Sequence, residues 1–525
     1  MPDQSLSIQT QAEATSALDI PKTKRVNKIG DQRDEGLWNR LLDIPDPGNS
    51  SLQKALSRNL AKAILDGRIP EGARLPSTRL LASMLRVARI TVGLAYDGLA
   101  EQGLIVAKPK RGHFVAEGLR RELKTVGIDA EYPPLGPVWS RYLKPLTKGE
   151  KWLESSRPFQ EFPYSFASGK VDNDLLPPDD WHECLAQATA ERDHWTANTG
   201  DGDDPFLIEQ ICSRVLPRRG ITALPDEVLI TMGTQMGLYL LSELTVSAGA
   251  VVAIEEPGYM GARNVFLRRG ATLAPVPVDT GGAIPPNGMA NCSLIYVTPG
   301  HHTPTGVVMS QERRHAFLSL AHGTQSLIIE DDYEAEMGFG ADHVPALKAI
   351  DRFGYVIYLS SFSNSVAPGM RVGFITGDRK LIDRARKLRR VITRHTPGNN
   401  QRALALFIAQ GHYERSLSRQ RELLESRARQ LAQSLQKQLP DWSFHLPAGG
   451  SNLWVQVPAD IDTGKLELKA RENGVLIERG DSFYHSAVLP HHFVRLTYSS
   501  ISLDKIDAGI QLLARATNEL AADWH

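Results

Sequence analysis

Only three cysteines, Cys184, Cys212 and Cys292, occur in the 525 residues, and no two of them form a C-x-x-C pair. That scarcity argues against a zinc site or a disulfide framework and fits a reducing, cytoplasmic compartment. Net charge is also lacking, since 60 lysines and arginines balance 60 acidic residues. Any nucleic-acid surface must therefore be a local patch, because no global field draws the chain to phosphate. Long apolar runs are missing too. The longest, near 237–254, contains Ser242 and Glu243 and breaks at Gly249, so no membrane span is expected. Residues 1–49 are polar and hold no apolar h-region, which excludes a signal peptide and predicts a disordered tail. The fifteen histidines show no metal spacing: His301-His302 adjoin in a turn and point apart, and His491-His492 read as a solvated turn.

What is present implies two or three domains, because 525 residues exceed one ordinary core. In the first, 50–118, apolar residues recur at helical spacing from Leu52 to Leu65, and Gly67 ends the pattern. Ser77 can cap a helix running to about Leu85, and a second helix runs from about Ile90 to Gln102. Two short apolar stretches, 104–106 and 113–115, flank the basic turn Lys108-Pro109-Lys110-Arg111-Gly112. Helix, turn, helix and a basic β-wing predict a winged helix-turn-helix that puts its second helix into a DNA major groove.

Residues 119–163, with Pro133, Pro134, Pro137 and Pro145 and little apolar periodicity, read as a linker. From 164 to 525 short apolar strands alternate with helical patterns: 228–231, 251–255, 294–297, 327–330, 356–359 and 372–376. That alternation predicts an α/β domain with a mostly parallel sheet and ligand sites at the strand ends. Gly233-Thr234 opens a helix after one strand, where backbone N–H groups can face an anion. Tyr259 follows another strand and can stack on a ring. In IIEDDYEAE (328–336), Asp331 and Tyr333 alternate and share a face. Ser361, Ser363 and Arg371 lie in SFSNSVAPGMRVGF (361–374), a loop suited to phosphate. The basic run Arg384–Arg394 reads as the polar face of a helix in preference to a second DNA surface.

The stretches LPS-x-R, R-x-TV-xx-AY and G-x-FV resemble the GntR class of DNA-binding domains. That resemblance implies DNA contacts from Ser77, Arg79, Arg86, Arg89, Thr91, Lys110, Arg111 and Gly112. Arg86 and Ala88 stand where the class usually has Gly and Ser. The later motifs, with HTPGNNQRALALFIAQGHYER (395–415) and FVRLTYS (493–499), resemble a fold-type I aminotransferase, the pyridoxal phosphate (PLP) transferase fold with large and small domains. The small one spans about 412–525. Together the two parts resemble the MocR family of bacterial regulators from about 50 to 515.

By that resemblance Gly233, Thr234, Ser361, Ser363 and Arg371 hold the phosphate and Tyr259 stacks on the ring. Asp331 pairs with the pyridine nitrogen, Tyr333 with the ring hydroxyl, and Arg495 with an effector carboxylate. The resemblance also implies a head-to-tail homodimer, double-stranded DNA and a small amino-compound effector. The family has a Schiff-base lysine where this chain has Asn364, and an amide nitrogen has no lone pair available for that bond. Between Lys170 and Lys380 the only lysine is Lys348. Trp195–Phe206 contains no tyrosine where the family reaches the partner's phosphate, and Thr303 replaces an aromatic or amide. Three readings follow: a regulator that binds PLP, pyridoxamine phosphate or a PLP–amine adduct noncovalently; a sensor of another anionic ligand; and an active transaminase, which Asn364 opposes. The expected protein is a DNA-binding regulator without catalysis.

Overall fold

The computed structural model describes Trp38 and residues 52–119, 143, 147, 162–169, 171–176, 178–190, 202–286, 292–339, 344–485 and 490–522. The chain divides into two compact units, 1–142 and 143–525.

In the first unit, helices α1 (Leu52–Leu65), α2 (Thr78–Met84) and α3 (Arg89–Glu101) precede an antiparallel pair, β1 (Ile105–Lys108) and β2 (Gly112–Val115). Leu56, Leu60, Leu81, Val92, Tyr96 and Leu99 form its core. Tyr96 donates from its hydroxyl to the Pro76 carbonyl at 2.9 Å, which fixes the turn before α2 to α3. The expectation of a disordered tail fails at Trp38, which is helical and fully buried in this same core. An indole brings far more apolar area to a small core than its polar neighbours suggest. The rest of the tail and most of the linker lie outside the described residues.

In the second unit, eight strands form one sheet in the order β4-β11-β10-β9-β8-β5-β6-β7. Their ranges are β4 Val228–Thr231, β5 Val251–Glu256, β6 Thr272–Asp279, β7 Gly282–Ala283, β8 Cys292–Val297, β9 Leu327–Asp332, β10 Val356–Ser361 and β11 Gly373–Thr376. The central strands are parallel, while β11 runs antiparallel between β10 and β4. Every residue of β4 and β11 is buried, as expected of strands covered on both faces. A second sheet, β12 (Ser443–Phe444), β13 (Asn452–Gln456), β16 (Phe493–Thr497) and β15 (Glu478–Arg479), packs with the helices of the C-terminal part. Strand β3 (Tyr164–Ser165) pairs in parallel with β14 (Val475–Leu476), so the beginning of the unit belongs structurally with its end.

The basic run is the helix Arg379–Thr393, but two of its arginines are anchors. Arg389 is fully buried and pairs with Asp203, whose other oxygen takes Arg386 at 2.8 Å and the Ile230 N–H at 3.2 Å. Asp203 thus ties this helix to β4, and removing it leaves a guanidinium buried beside a lost partner. Asp203→Ala is expected to cost about 3–5 kcal/mol of the unit's stability. A thermal unfolding transition within a degree of the parent would refute that role.

Candidate functional site

The carboxyl ends of β4, β5, β8, β9 and β10 converge on a cavity of about 320 Å³. Thr234, Tyr259, Asp331, Tyr333, Ser361, Ser363, Asn364, Arg371 and Arg495 all line it. Gly233 sits immediately behind, as the N-cap of the helix Thr234–Thr245, with φ 81. A Cβ at Gly233 would stand 3.1 Å from Nη2 of Arg371, and one at Gly373 would stand 2.9 Å from the Gly233 Cα. The two glycines therefore let the helix terminus, the arginine and β11 close on one another.

Arg371 adopts a left-handed backbone (φ 54) and donates from Nη2 to the Met232 carbonyl at 3.0 Å. Ser361 donates to Ser363 Oγ at 3.0 Å and accepts from the Ser363 N–H at 3.1 Å. Helix N-terminus, two hydroxyls and a guanidinium form an anion cradle of the kind a phosphate monoester fills. Tyr259 donates to Gln235 Oε1 at 3.0 Å, and Gln235 donates in turn to the Gly261 carbonyl at 3.2 Å. Those bonds hold the ring as one wall of the cavity.

Asp331 Oδ2 accepts from the Tyr296 hydroxyl at 2.8 Å, whereas its buried Oδ1 has no hydrogen-bond partner. Burial pushes this carboxyl up to about 7, against the pull of the Tyr296 bond. A pyridinium N–H presented to Oδ1 would supply the missing donor and a positive charge. Tyr333 OH is likewise buried without a partner. These orphaned atoms fit a pyridoxal-type ring.

The remaining cavity residues depart from expectation in informative ways. Asn364 lies 3.5 Å from Glu334 Oε1 through its amide nitrogen. Among the described residues no lysine lines the cavity, and Lys348 donates to the Val356 carbonyl at 2.8 Å, at the opposite end of β10. Lys170 and Trp195–Asp201 lie outside the described residues. Arg495 does reach the cavity, but its guanidinium already meets Glu478 at 2.7 Å and Ser168 Oγ at 2.6 Å, and sits 4.7 Å from the Phe483 ring centroid. A carboxylate arriving there must share Arg495 with Glu478. The pair His301-His302 is buried in place of lying in an open turn. His302 bonds Thr305 at 2.7 Å and the Pro257 carbonyl at 3.1 Å, and burial lowers it to about 3, so it stays neutral.

Sequence reasoning passed over Tyr296, Glu334 and Ser451. Tyr296 lies inside the apolar run LIYV, and the other two had no spacing signal.

On the first unit, Arg79, Arg86, Arg89, Lys110, Arg111 and Gly112 are all exposed, and Thr91 is half-buried. Ser77 caps α2 by accepting from the Leu80 N–H at 3.2 Å, while Ala88 caps α3 with no side-chain bond. Arg86 has φ 52, which explains why glycine is usual there and costs an L-residue about 1 kcal/mol. The exposed face of α3 also carries Ile90, 72% accessible, and Leu94 one turn on. Large apolar residues so open on a helix bordered by arginines suit contact with thymine methyl groups.

The family profile "Aminotransferase class I and II" matches residues 164–513, and "Bacterial regulatory proteins, gntR family" matches 52–115. The HTH-type transcriptional regulator TauR of Rhodobacter capsulatus is 38% identical over 471 residues, 89% of this chain and 97% of TauR. The probable rhizopine catabolism regulatory protein MocR of Rhizobium meliloti is 29% identical over 89% of this chain and 93% of its own length. Among solved structures, the α-aminoadipate aminotransferase of Thermus thermophilus, complexed with N-(5'-phosphopyridoxyl)-L-leucine, superposes with TM-score 0.66 at 25% identity, covering 73% of this chain and 99% of that one. A kynurenine aminotransferase of Pyrococcus horikoshii shares the fold at TM-score 0.67 and 24% identity, over 73% of this chain and 98% of that one.

Asp331 holds its proton in the folded protein to about pH 7, while an unfolded aspartate releases it near 4. The folded state therefore binds more protons across that window, and stability is lost as pH rises from about 4 to about 7. Glu255, pushed up by burial to about 8, and Glu334, to about 7, act in the same direction. Asp331→Asn removes one of these titrations, so its melting temperature at pH 8 should exceed the parent's by a few degrees and converge with it near pH 4. Parallel curves would contradict the assignment.

Proposed function

This chain belongs to the MocR-type transcriptional regulators, a GntR-type domain followed by a class I and II aminotransferase domain, and from that premise we propose that its larger unit is a non-catalytic sensor holding PLP, pyridoxamine phosphate or a PLP–amine adduct without a covalent bond. The observation that supports this most is a pair of features in one cavity: Asp331 Oδ1 buried without a donor, and Asn364 where the family has its lysine. The first asks for a pyridinium, and the second forbids an imine to the protein. When bound, the pyridoxal group would supply an electron sink, but among the described residues no lysine lines the cavity to anchor it or to carry its protons.

The residues nevertheless divide the work of binding. Ser361, Ser363, Thr234 and Arg371 would take the phosphate, Tyr259 would cover one ring face, and Asp331 and Tyr333 would orient the ring edge. Arg495, once shared with Glu478, would receive a carboxylate of the amino-compound effector. In this reading the chain acts as a head-to-tail homodimer on double-stranded DNA. A ligand changes DNA affinity only by binding two conformations differently, a coupling typically of ~1–3 kcal/mol.

Titration of the purified protein with PLP tests the sensor directly. Binding with free-aldehyde absorbance, resistant to borohydride, is expected, and Asn364→Lys should convert it to a reducible covalent bond. Failure of both proteins to bind PLP and pyridoxamine phosphate would leave an anion sensor of another kind. Turnover of an amino acid with a 2-oxo acid by the unaltered chain would refute the non-catalytic reading.

DNA binding has its own test, using an operator obtained by selection from random DNA. Arg89→Ala should weaken binding and, if the guanidinium meets a phosphate, reduce the slope of log K against log salt by about 1. Ile90→Ala should lose discrimination between thymine and uracil at the sites it faces while leaving that slope unchanged. An Ile90→Ala protein that still distinguishes thymine from uracil would dismiss the apolar readout.

A further inference from the structure

Glu334 is the carboxylate that Asn364 contacts, and the family resemblance gives it no role. Its residue is 3% exposed, yet it lines the cavity. Oε1 accepts from Ser451 Oγ and, at 3.5 Å, from Asn364 Nδ2. Oε2 is buried with no hydrogen-bond partner. Two acidic neighbours on the same stretch are differently placed: Asp332 pairs with Arg219 at 2.8 Å and Glu336 with Arg218 at 3.0 Å. Among the described residues Glu334 is in no ion pair: hydroxyl and amide groups meet it, and the Arg495 charge acts from nearby, where those two acids hold a guanidinium directly.

A buried carboxylate with spare lone pairs gains most from a charged donor. Asn364 adds to the fit, because an amide brings a carbonyl acceptor as well as the N–H₂ it offers Glu334. An ammonium group carries three N–H donors and can use both acceptors at once. The lysine of the family would put a cationic amine into this corner; among the described residues the corner keeps an acid and no amine. The ligand must bring it.

We propose that Glu334 and Asn364 form a receptor for a primary ammonium group of the bound ligand. The inference rests on the cofactor reading given above, and names the chemistry that the same site selects. The ammonium can belong to the aminomethyl group of pyridoxamine phosphate or to a separate amino compound beside the ring. In either case the aldehyde form of the cofactor, alone, leaves Glu334 unsatisfied.

The charged and titratable groups facing Glu334 are Tyr333 on its own segment, Arg495 and Tyr498 on and after β16, and His301 from the loop after β8. Burial holds both tyrosines well above their ordinary value and pulls His301 down to about 4. None of those three changes charge between pH 6 and 8. Glu334 itself titrates near 7. It is neutral below that value and anionic above it, so attraction for an ammonium is present at pH 8 and lost toward pH 6. Asp331 titrates in the same range, but it faces the pyridine nitrogen, which ligands differing only in the amine share.

Calorimetric titration with pyridoxamine 5'-phosphate and pyridoxine 5'-phosphate isolates the effect, since these differ by an amine against a hydroxyl on one carbon. Pyridoxamine phosphate should bind at least tenfold more tightly at pH 8, with the ratio shrinking toward pH 6. Glu334→Gln should erase most of the preference and its pH dependence while changing pyridoxine phosphate affinity less than threefold. Ethylamine added to the pyridoxine phosphate complex separates the two sources. Glu334-dependent binding of ethylamine assigns the ammonium to a separate amino compound; absence of ethylamine binding, with the amine preference intact, assigns it to the cofactor. Equal affinity for the two phosphates with no ethylamine binding would overturn the proposal, as would a Glu334→Gln variant that weakens both phosphates alike. If neither phosphate binds at all, the cofactor reading fails first and this inference falls with it.

Discussion

Burial of acid along a single strand end governs the second unit. Glu330, Asp331, Asp332, Glu334 and Glu336 crowd into seven positions at and beyond the end of β9, and all five are buried. Carboxylates cannot be left dry without partners, so the surrounding fold is organised to meet them. Glu330 accepts the N–H groups of Leu347 and Lys348 at 2.7 and 2.8 Å, which pins the segment beneath the sheet. Asp332 accepts from Arg219 and from the Tyr358 hydroxyl, both at 2.8 Å, joining β9 to β10 and to the helical layer. Glu336 takes Arg218. Asp331 and Glu334 have neither a paired guanidinium nor a pair of backbone N–H donors like Glu330, and these two line the cavity. Where the fold supplies no counter-charge, a ligand can.

The loop after β10 shows that cofactor geometry and cofactor chemistry are separable. Arg371, the paired serines, the helix cap at Gly233 and the close approach of Gly373 together form a cradle with the geometry an anion needs. Such a site keeps its shape because the glycines and the left-handed arginine over-determine it, whichever residue stands at the covalent position.

Parallel strands buried on both faces are continuous apolar runs, so the strands from β4 to β11 that carry the site could be read from Val, Ile and Leu alone. Strand β6, TLAPVPVD, was passed over because two prolines demote a strand in sequence. It tolerates them beside the short closing strand β7, with half or more of its side chains open. The motif residues were legible because strand ends in such sheets collect ligand groups. Tyr296 and Glu334 were not, because their roles depend on which way a side chain points across strands 35 and 30 residues apart in sequence. Trp38 was hidden for a different reason: one apolar residue in a polar stretch makes no periodic pattern. The buried Arg389 shows the converse, a charge run whose central member is an internal strut in place of a solvated face.

Covalent attachment makes cofactor occupancy nearly independent of its concentration, which suits an enzyme. A ligand held by hydrogen bonds and charge alone stabilises its binding state by RT ln(1 + [L]/Kd), so occupancy follows supply. On the proposed reading, an asparagine at the covalent position would move the site from storing its cofactor to reporting it. Two unpaired acids sharpen the report. If the proposed roles hold, any pyridinium would satisfy Asp331, whereas Glu334 would be satisfied only when an amine arrives, so the fully neutralised cavity would correspond to one chemical state of the ligand. A binding event can shift a conformational equilibrium only by stabilising one state over another, so a ligand that satisfies both acids would act by that difference alone.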